Sequence, residues 1–226
     1  MKTTIDVWTF DVEQFEQAAT SEVLSAEEKQ RAACFHFERD RLCYSLSHTW
    51  LRQVLSKYTQ RAASDIEIRT ERNGKPYLAQ RSIEFNLSHT DELTAIAVCR
   101  SPVGVDVERV RQVGQPLSAL IGREDAETIA HLGQSERQVA FFQCWARKEA
   151  LLKAAGMGLP ENLERVSVGV GPNSEIVSSI AEIKAWRWRV LDLHVPEGFA
   201  GAVACKADEA EVAYRDVRAL LAGRSR

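Results

Sequence analysis

The chain has 226 residues, 45% of them hydrophobic and 27% charged, as expected for an ordinary globular protein with a sizeable core. Its formal net charge of −3 argues against a nucleic-acid partner, because proteins that bind phosphate backbones normally carry an excess of basic residues. The sequence has no apolar run of transmembrane length, no apolar targeting segment after Met1 and no C-x-x-C cysteine pair, which predicts a cytoplasmic protein without membrane contacts.

The first hundred residues predict a small sheet combined with two helices. Alternating or continuous apolar patterns predict strands at Thr4–Trp8, Asp65–Thr70, Ile83–His89 and Leu93–Cys99. One helix opens at the capping-box pattern of Ser25 and Glu28, and a second spans Asp40–Lys57 with an apolar residue at every fourth position. A turn around Gly74 and Pro76 presents Lys75 between two of the strands.

The stretch Val103–Val110 is the most informative segment. It is a β-branched strand in which Asp106 and Glu108 point to one face, while Val105 and Val107 point to the other. Two carboxylates on one strand face repel each other unless a cation lies between them, and oxygen ligands of this kind suit Mg²⁺. The alternative is an edge strand whose acidic face is solvated.

The second half repeats the plan of a helix followed by strands. Ser135–Ala155 reads as a long helix in which Glu149 and Lys153 lie together on the flank of the apolar stripe. An irregular segment with short helical pieces, Pro116–Leu132, precedes this helix. Strands are predicted at Val166–Val170, Glu175–Ile180, Ala185–Val195 and Ala200–Cys205, and a final helix is predicted at Val212–Leu221.

The two halves echo each other, since each has a tryptophan-containing helix and ends on an alanine- and valine-rich strand with a cysteine. This echo predicts an α+β fold of two similar lobes related by a pseudo-twofold axis, each a small, mainly antiparallel sheet packed with a long helix. The expected boundary gives lobes at residues 1–102 and 103–226, with the acidic strand and Glu149 facing the junction. Because both lobes would bury a shared face within one chain, we expect a monomer.

Three motifs occur in a fixed order: Ser88-His89, Gly104-Val-Asp-Val-Glu108 and Trp145-Ala-Arg-Lys-Glu-Ala-Leu-Leu-Lys153. With Phe35–Arg52, Gly74-Lys75-Pro76 and Phe85-Asn-Leu-Ser-His89, they resemble the 4′-phosphopantetheinyl transferase superfamily. The similarity is to its long, single-chain, two-lobed branch, the surfactin-synthetase-activating type. It extends from about Ser25 to Cys205, and the pairing of the acidic strand with the lysine- and glutamate-bearing helix is its most specific part.

This resemblance implies an enzyme, a holo-[carrier protein] synthase. It would transfer the 4′-phosphopantetheine arm of coenzyme A to a serine hydroxyl of an apo acyl or peptidyl carrier protein and release 3′,5′-ADP. The pathways would be fatty-acid, polyketide or nonribosomal peptide biosynthesis. Asp106, Glu108 and Glu149 would hold Mg²⁺ against the pyrophosphate, and Glu149 would also be the general base, directly or through a water. Lys153 would pair with the phosphates.

The resemblance further implies a set of residues that bind coenzyme A. Ser88 and His89 would contact its phosphates, and Lys148 would either do the same or brace the site. The nucleotide end, including the 3′-phosphate, would be bound by Lys75 and by basic residues of the early helical region, with Lys29, Arg31 and Arg41 as the candidates. A solvated helix face is the alternative for these last three.

Two other functions use similar residues. A metal-dependent phosphodiesterase or nuclease also needs paired acids and a lysine, but the acidic net charge disfavours it. A non-catalytic coenzyme A-binding module is disfavoured because all three acids and Lys153 are present. Incubation with coenzyme A, Mg²⁺ and an apo-carrier would distinguish the three functions.

Overall fold

The computed structural model describes residues 2–12, 21–113, 120–157, 163–171 and 176–221. The strands are β1 (Thr3–Asp11), β2 (Ile68–Thr70), β3 (Pro76–Leu78), β4 (Glu84–His89), β5 (Leu93–Cys99), β6 (Val103–Arg109), β7 (Val166–Ser167), β8 (Val177–Ser178), β9 (Trp188–Asp192), β10 (Phe199–Lys206) and β11 (Ala210–Arg215). The helices are α1 (Ala26–Ala33), α2 (Glu38–Thr59), α3 (Arg123–Ala130), α4 (Gln134–Ala155), α5 (Ala181–Lys184) and α6 (Arg218–Leu221), with 3₁₀ turns at Ser21–Val23, Ala63–Asp65 and Leu163–Arg165.

Two main sheets organise the chain. The first has the strand order β11-β1-β5-β4, and the second has the order β6-β10-β9. All neighbours in these sheets are antiparallel except β1 and β11, which run parallel. Small two-stranded sheets, β2–β3 and β7–β8, complete the arrangement.

The alternating side chains of the strands create three layers of core. Trp50, Leu51 and Val54 of α2 pack against one face of the first sheet, and Leu151 and Leu152 of α4 pack within the core that covers the second. A third core, built largely from valine, alanine and leucine side chains of β1, β5, β6 and β10, lies between the sheets. Each lobe is therefore a small sheet with one long helix, as the sequence predicts, and the lobes share a buried face.

Most predicted elements are confirmed, with shifts of a few residues at their ends. Ser25 and Glu28 form the capping box that opens α1, and α4 ends at Gly156 in the left-handed conformation. The strands predicted at Val166–Val170 and Glu175–Ile180 are reduced to two residues each, and residue 175 lies outside the described residues. Part of the predicted irregular segment, residues 116–119, also lies outside them.

The predicted C-terminal helix is wrong over most of its length. Residues 210–215 form β11, which pairs in parallel register with β1 from Thr3 to Trp8, and only Arg218–Leu221 is helical. The pairing satisfies the backbone groups of an exposed strand edge, and this tertiary gain outweighs the helix propensity of the segment. The end of the chain thus completes the sheet that its beginning starts.

The two sheets meet edge to edge at β4 and β6. Within the described part of the chain these edges share no backbone hydrogen bond. The side chains of Asn86 and Ser88 fill the gap, accepting from the backbone N–H of Val105 at 2.9 Å and of Val107 at 3.3 Å.

No helix among the described residues is long and apolar enough to cross a membrane.

Candidate active site

A cleft of about 350 Å³ opens where β4, β6 and α4 meet. Its walls carry six of the residues that the sequence selects: Ser88, His89, Asp106, Glu108, Glu149 and Lys153. The strand and the helix that were expected to converge at the lobe junction therefore do so.

Asp106 and Lys153 form the centre of this cleft. Asp106 is 2% exposed, and its Oδ1 accepts from Lys153 Nζ at 2.6 Å and from Ser88 Oγ at 2.8 Å. Burial raises the pKa of Asp106, but the ammonium and the hydroxyl act in the opposite direction. Burial alone would lower the pKa of Lys153, yet the charges of Asp106 and Glu149 raise it. The lysine therefore stays protonated and balances the acidic cluster.

Glu149 has the most informative electrostatic environment. Its Oε2 lies 3.4 Å from Lys153 Nζ, one helical turn further along α4. Desolvation, followed by repulsion from Asp106, raises the pKa of Glu149 to about 7, although Lys153 opposes the shift. A carboxylate with this pKa can accept and release a proton near neutral pH, as a general base must.

Glu108 lies at the more open end of the acidic strand. Desolvation and the neighbouring charge of Asp106 raise its pKa, whereas Arg111, Lys153 and a hydrogen bond with Trp145 lower it. Trp145 itself packs against the core of the second lobe.

His89 follows the buried Ser88 on the opposite wall. Its ring is exposed to solvent at the cleft, and partial desolvation, with a contribution from the nearby His48, lowers its pKa. The imidazole is therefore mainly neutral at pH 7, a state in which one ring nitrogen still donates a hydrogen bond.

Gly104 explains how close the helix approaches the acidic strand. A Cβ atom at this position would lie 2.2 Å from the carbonyl oxygen of Ala150 and 2.4 Å from the backbone nitrogen of Ala154. These are backbone atoms of α4 on either side of Lys153, and they cannot rotate away as side-chain atoms can. The absence of a side chain at Gly104 thus lets Glu149 and Lys153 reach Asp106.

We expect Gly104→Ala to destabilise the protein by about 3 kcal/mol, because α4 must move off the strand. Displacement of the helix by about 1 Å should also lower kcat roughly 10²-fold. Gly201→Ala on the adjacent β10 is the matched control, since its Cβ would meet only side-chain atoms, at 3.0–3.3 Å. Urea unfolding and transfer kinetics measure both effects, and equal losses in the two variants would contradict this explanation.

Lys75 lies at the C-terminal end of α4, where it contacts Ala154, the residue after Lys153, but it is not among the residues that line the cleft. Its Nζ donates to the carbonyl oxygen of Ala154 at 3.0 Å, and Asn73 donates to the carbonyl oxygen of Gly156. These groups satisfy carbonyls at the helix C-terminus, where a positive charge is also favourable. Burial lowers the pKa of Lys75. Its predicted role in nucleotide binding is untested by this placement.

The structure places Lys148 outside the walls of the cleft and among buried partners. Its ammonium is 1% exposed, pairs with Asp125 at 2.8 Å and donates to three backbone carbonyl oxygens, those of Ile121, Leu163 and Val166. A phosphate could reach this group only by displacing all of these partners. Lys148 therefore has the bracing role that the sequence left as its alternative, joining α4 to α3 and to residues 163–166.

The three basic candidates of the early helices lie outside the cleft walls. Lys29 and Arg31 are exposed on α1 and form no salt bridge with any described residue, whereas Arg41 pairs with Glu38 at 2.8 Å. This difference favours Lys29 and Arg31 as anion-binding residues over Arg41.

Glu28, which stands among these basic residues, is structural. Burial opposes its ionisation, but hydrogen bonds from His48, the Ser25 backbone and Arg52 lower its pKa to about 2. Arg52 Nε lies 2.6 Å from the carboxylate and His48 Nδ1 lies 3.2 Å from it. Glu28 thereby fixes α1 to α2, which explains an acid in an otherwise basic stretch.

Two arginines that the sequence analysis did not select also line the cleft. Arg109 ends β6 and pairs with Glu92, and Arg111 lies within 6.0 Å of the Phe142 ring. Strand alternation gave no signal for them, because it places Arg109 and Arg111 on the face opposite Asp106 and Glu108.

The acidic residues provide the oxygen ligands that Mg²⁺ prefers. Asp106 Oδ2 is buried and has no hydrogen-bond partner among the described residues, as a position reserved for a cation would be. In the described conformation, no three histidine, cysteine, aspartate or glutamate side chains are close enough together to bind one ion. The ammonium of Lys153 instead lies between Asp106 and Glu149 and supplies the positive charge. The residues fit a magnesium ion in their chemistry, provided that this lysine shifts.

Comparison with known proteins identifies the family. Residues 6–101 match the N-terminal domain of 4′-phosphopantetheinyl transferase, and residues 102–205 match the 4′-phosphopantetheinyl transferase superfamily domain. The two matches adjoin directly before β6, the strand that carries the acidic pair.

Named transferases are similar over most of the chain. The 4′-phosphopantetheinyl transferase HetI of Nostoc sp. is 30% identical over 214 residues, covering 88% of this chain and 86% of the relative. The transferase Sfp of Bacillus subtilis is 24% identical and covers 68% of this chain and 69% of its own length. The L-aminoadipate-semialdehyde dehydrogenase-phosphopantetheinyl transferase of Rattus norvegicus is 25% identical. The match covers 70% of this chain and 56% of the relative. With its two lobes and the acidic cleft between them, the chain belongs to the 4′-phosphopantetheinyl transferase superfamily and is an enzyme that transfers 4′-phosphopantetheine to carrier proteins.

Proposed function

We propose that the chain catalyses the magnesium-dependent transfer of 4′-phosphopantetheine from coenzyme A to a serine hydroxyl of an apo acyl or peptidyl carrier protein. The observation that carries this proposal is the cluster of Asp106, Glu149 and Lys153. The ammonium of Lys153 lies 2.6 Å from the Asp106 carboxylate and 3.4 Å from the Glu149 carboxylate. The serine oxygen attacks the phosphorus that bears the pantetheine arm, and the bond to the bridging oxygen of the leaving 3′,5′-ADP breaks.

The residues of the cleft divide the work of this reaction. Glu149, with its pKa about 7, accepts the proton of the serine hydroxyl, directly or through a water. Lys153 turns from Asp106 to the diphosphate and balances its charge as the phosphorus–oxygen bond breaks. Asp106, Glu108 and Glu149 would hold the magnesium ion. When bound, this ion neutralises the charge that develops on the leaving phosphate.

Donors around the cluster position the rest of coenzyme A. Ser88 and His89, which line the cleft on its β4 side, would contact the diphosphate, and Lys29 and Arg31, which are exposed on α1, would contact the 3′-phosphate. Lys75 assists at the nucleotide end. These are interactions with non-reacting parts of the substrate, so they serve affinity more than rate.

The acceptors are carrier proteins of fatty-acid, polyketide or nonribosomal peptide synthesis. We propose that they dock on the segment Pro116–Leu132, of which residues 120–132 are described and include α3. The enzyme acts as a cytoplasmic monomer with lobes 1–102 and 103–226, the second of which contributes β11 to the sheet of the first. The core that the two sheets share within one chain supports the monomer.

Incubation of the enzyme with coenzyme A, Mg²⁺ and an apo-carrier protein tests the reaction. We expect the carrier to gain the mass of phosphopantetheine, and we expect chelation of Mg²⁺ to prevent the gain. Bound coenzyme A without modified carrier, or cleavage of added DNA, would contradict the proposed function. Substitutions on α3 that leave the KM for the carrier unchanged would contradict the docking segment alone.

We expect Lys75→Ala mainly to raise the KM for coenzyme A, with little change in kcat, since the lysine would touch only the nucleotide end. Loss of the hydrogen bond to Ala154 should also cost about 1 kcal/mol of stability. Steady-state kinetics and urea unfolding separate the two effects. Lys75→Arg, which keeps the positive charge, serves as the control. A stability loss with unchanged KM would restrict Lys75 to the end of α4.

A further inference from the structure

We propose that Asn86 is a positioning residue that fixes the acidic strand β6 relative to β4 at the active-site cleft. Asn86 is 5% exposed and lies on β4, the outermost strand of the first sheet. A buried asparagine by itself indicates no function, since such residues usually serve to satisfy neighbouring polar groups.

The argument begins at the junction of the sheets. Backbone hydrogen bonds hold β6 to β10 on one side, in a register that pairs Asp106 with Ala202. On its other side β6 faces β4, where the described residues form no backbone hydrogen bond between the strands. The position of β6 relative to the β4 wall therefore depends on side-chain contacts.

Two side chains supply that connection, and they flank Asp106. Asn86 Oδ1 accepts from the N–H of Val105 at 2.9 Å, and Ser88 Oγ accepts from the N–H of Val107 at 3.3 Å. Ser88 also donates to the Asp106 carboxylate at 2.8 Å. Among the described residues, Asn86 is not part of the cleft wall, and its hydrogen bond to Val105 links it to the backbone on which Asp106 is mounted.

The spacing of the pair matches the edge of a strand. N–H groups of alternate residues point to the same edge, so Val105 and Val107 present their donors to β4 at the spacing at which Asn86 and Ser88 present acceptors. One such contact would allow β6 to pivot, whereas two fix both its position and its direction. Asn86 is the contact that does not also serve the carboxylate, and it can therefore be changed without touching the catalytic cluster.

This inference rests on the proposed function for its kinetic consequences. We expect Asn86→Leu, which keeps the side-chain volume but removes the acceptor, to lower kcat about 10- to 100-fold. The KM for coenzyme A should change less than about 2-fold, and the Mg²⁺ concentration for half-maximal rate should rise about 10-fold. Asn86→Asp, which retains an oxygen acceptor for Val105, should keep more activity than Asn86→Leu.

The matched control is Tyr58→Phe. It removes two partly buried hydrogen bonds on the opposite side of the first sheet from β6, one of 2.6 Å donated to Asp6 and one of 3.1 Å accepted from the Trp8 indole. We expect it to lower Tm about as much as Asn86→Leu while leaving kcat unchanged. Amide hydrogen exchange, measured without substrate or metal, should accelerate at Val105 in Asn86→Leu but not in Tyr58→Phe. If Asn86→Leu does not fold, Asn86→Ala provides the same comparison.

The outcomes are distinct. If the wild-type enzyme transfers phosphopantetheine and Asn86→Leu matches Tyr58→Phe in kcat, Asn86 is merely structural and the inference is overturned. Equal kcat values for Asn86→Leu and Asn86→Asp would overturn it as well. Absence of transfer by the wild type would instead refute the proposed function. In that case, unchanged amide exchange at Val105 in Asn86→Leu would still disprove the contact between Asn86 and β6 by itself.

Discussion

Glu149→Gln should abolish transfer and, at pH 8, raise the melting temperature of the metal-free protein. The loss of rate should be at least about 10³-fold, because the variant lacks both the proposed base and one oxygen for magnesium. The gain in stability follows from the pKa of about 7 in the folded state, which lies above the ordinary value of 4.5. Ionisation of Glu149 therefore costs stability, and the cost grows as pH rises from about 4.5 through 7.

The pH dependence makes this prediction sharp. The wild-type protein should lose about 1–3 kcal/mol relative to Glu149→Gln between pH 5 and pH 8, roughly 2–10 °C in Tm. Glu182→Gln, an exposed glutamate on α5, should change stability by less than about 0.5 kcal/mol at either pH. A lower Tm for Glu149→Gln at pH 8 would show that the carboxylate is not electrostatically strained. Retained transfer would remove it from the mechanism.

Lys148→Met should destabilise the protein by about 3–5 kcal/mol. Asp125 is 2% exposed and would remain as a buried carboxylate without its cation, next to three carbonyl oxygens that lose their donor. Breaking a buried ion pair on one side has this cost because the remaining charge stays desolvated. Asp125 keeps hydrogen bonds from Ser167 and Gly169, which limit the loss but do not replace the ammonium.

Urea unfolding of Lys148→Met measures this loss, with the exposed Lys184→Met on α5 as its control. The folded fraction of Lys148→Met should bind coenzyme A with nearly unchanged KM. A stable Lys148→Met variant with a KM raised tenfold would return Lys148 to the phosphate site and contradict the bracing role.

The contrast between Lys148 and Lys153 shows what sequence patterns can resolve. Both lysines lie on α4, five residues apart, and the helical period places Lys153 beside Glu149 at the edge of the cleft. The partners of Lys148, in contrast, are a carboxylate 23 positions away and the backbone carbonyl oxygens of Ile121, Leu163 and Val166, which belong to separate segments. No periodicity encodes such contacts, so the sequence left two roles open and tertiary packing decided between them.

The acidic strand was predictable because the alternation of its residues is a local pattern. Alternation places Asp106 and Glu108 on one face, and the apolar valines on the other face identify the buried side. What alternation does not reveal is that Asn86 and Ser88 replace backbone pairing at the lobe junction. It also could not show β11, whose alanines and glutamate favour a helix unless an open strand edge such as that of β1 is available.

The parallel pairing of β1 with β11 has a consequence for how the protein is made. β1 lacks its outer neighbour until residue 215 has been synthesised, so the first sheet stays unfinished while the residues between these two strands emerge from the ribosome. Contacts between strands this far apart in sequence are also slow to form. We therefore expect that residues 1–102 expressed alone expose the β1 edge and aggregate, and that deletion of residues 210–226 has the same result.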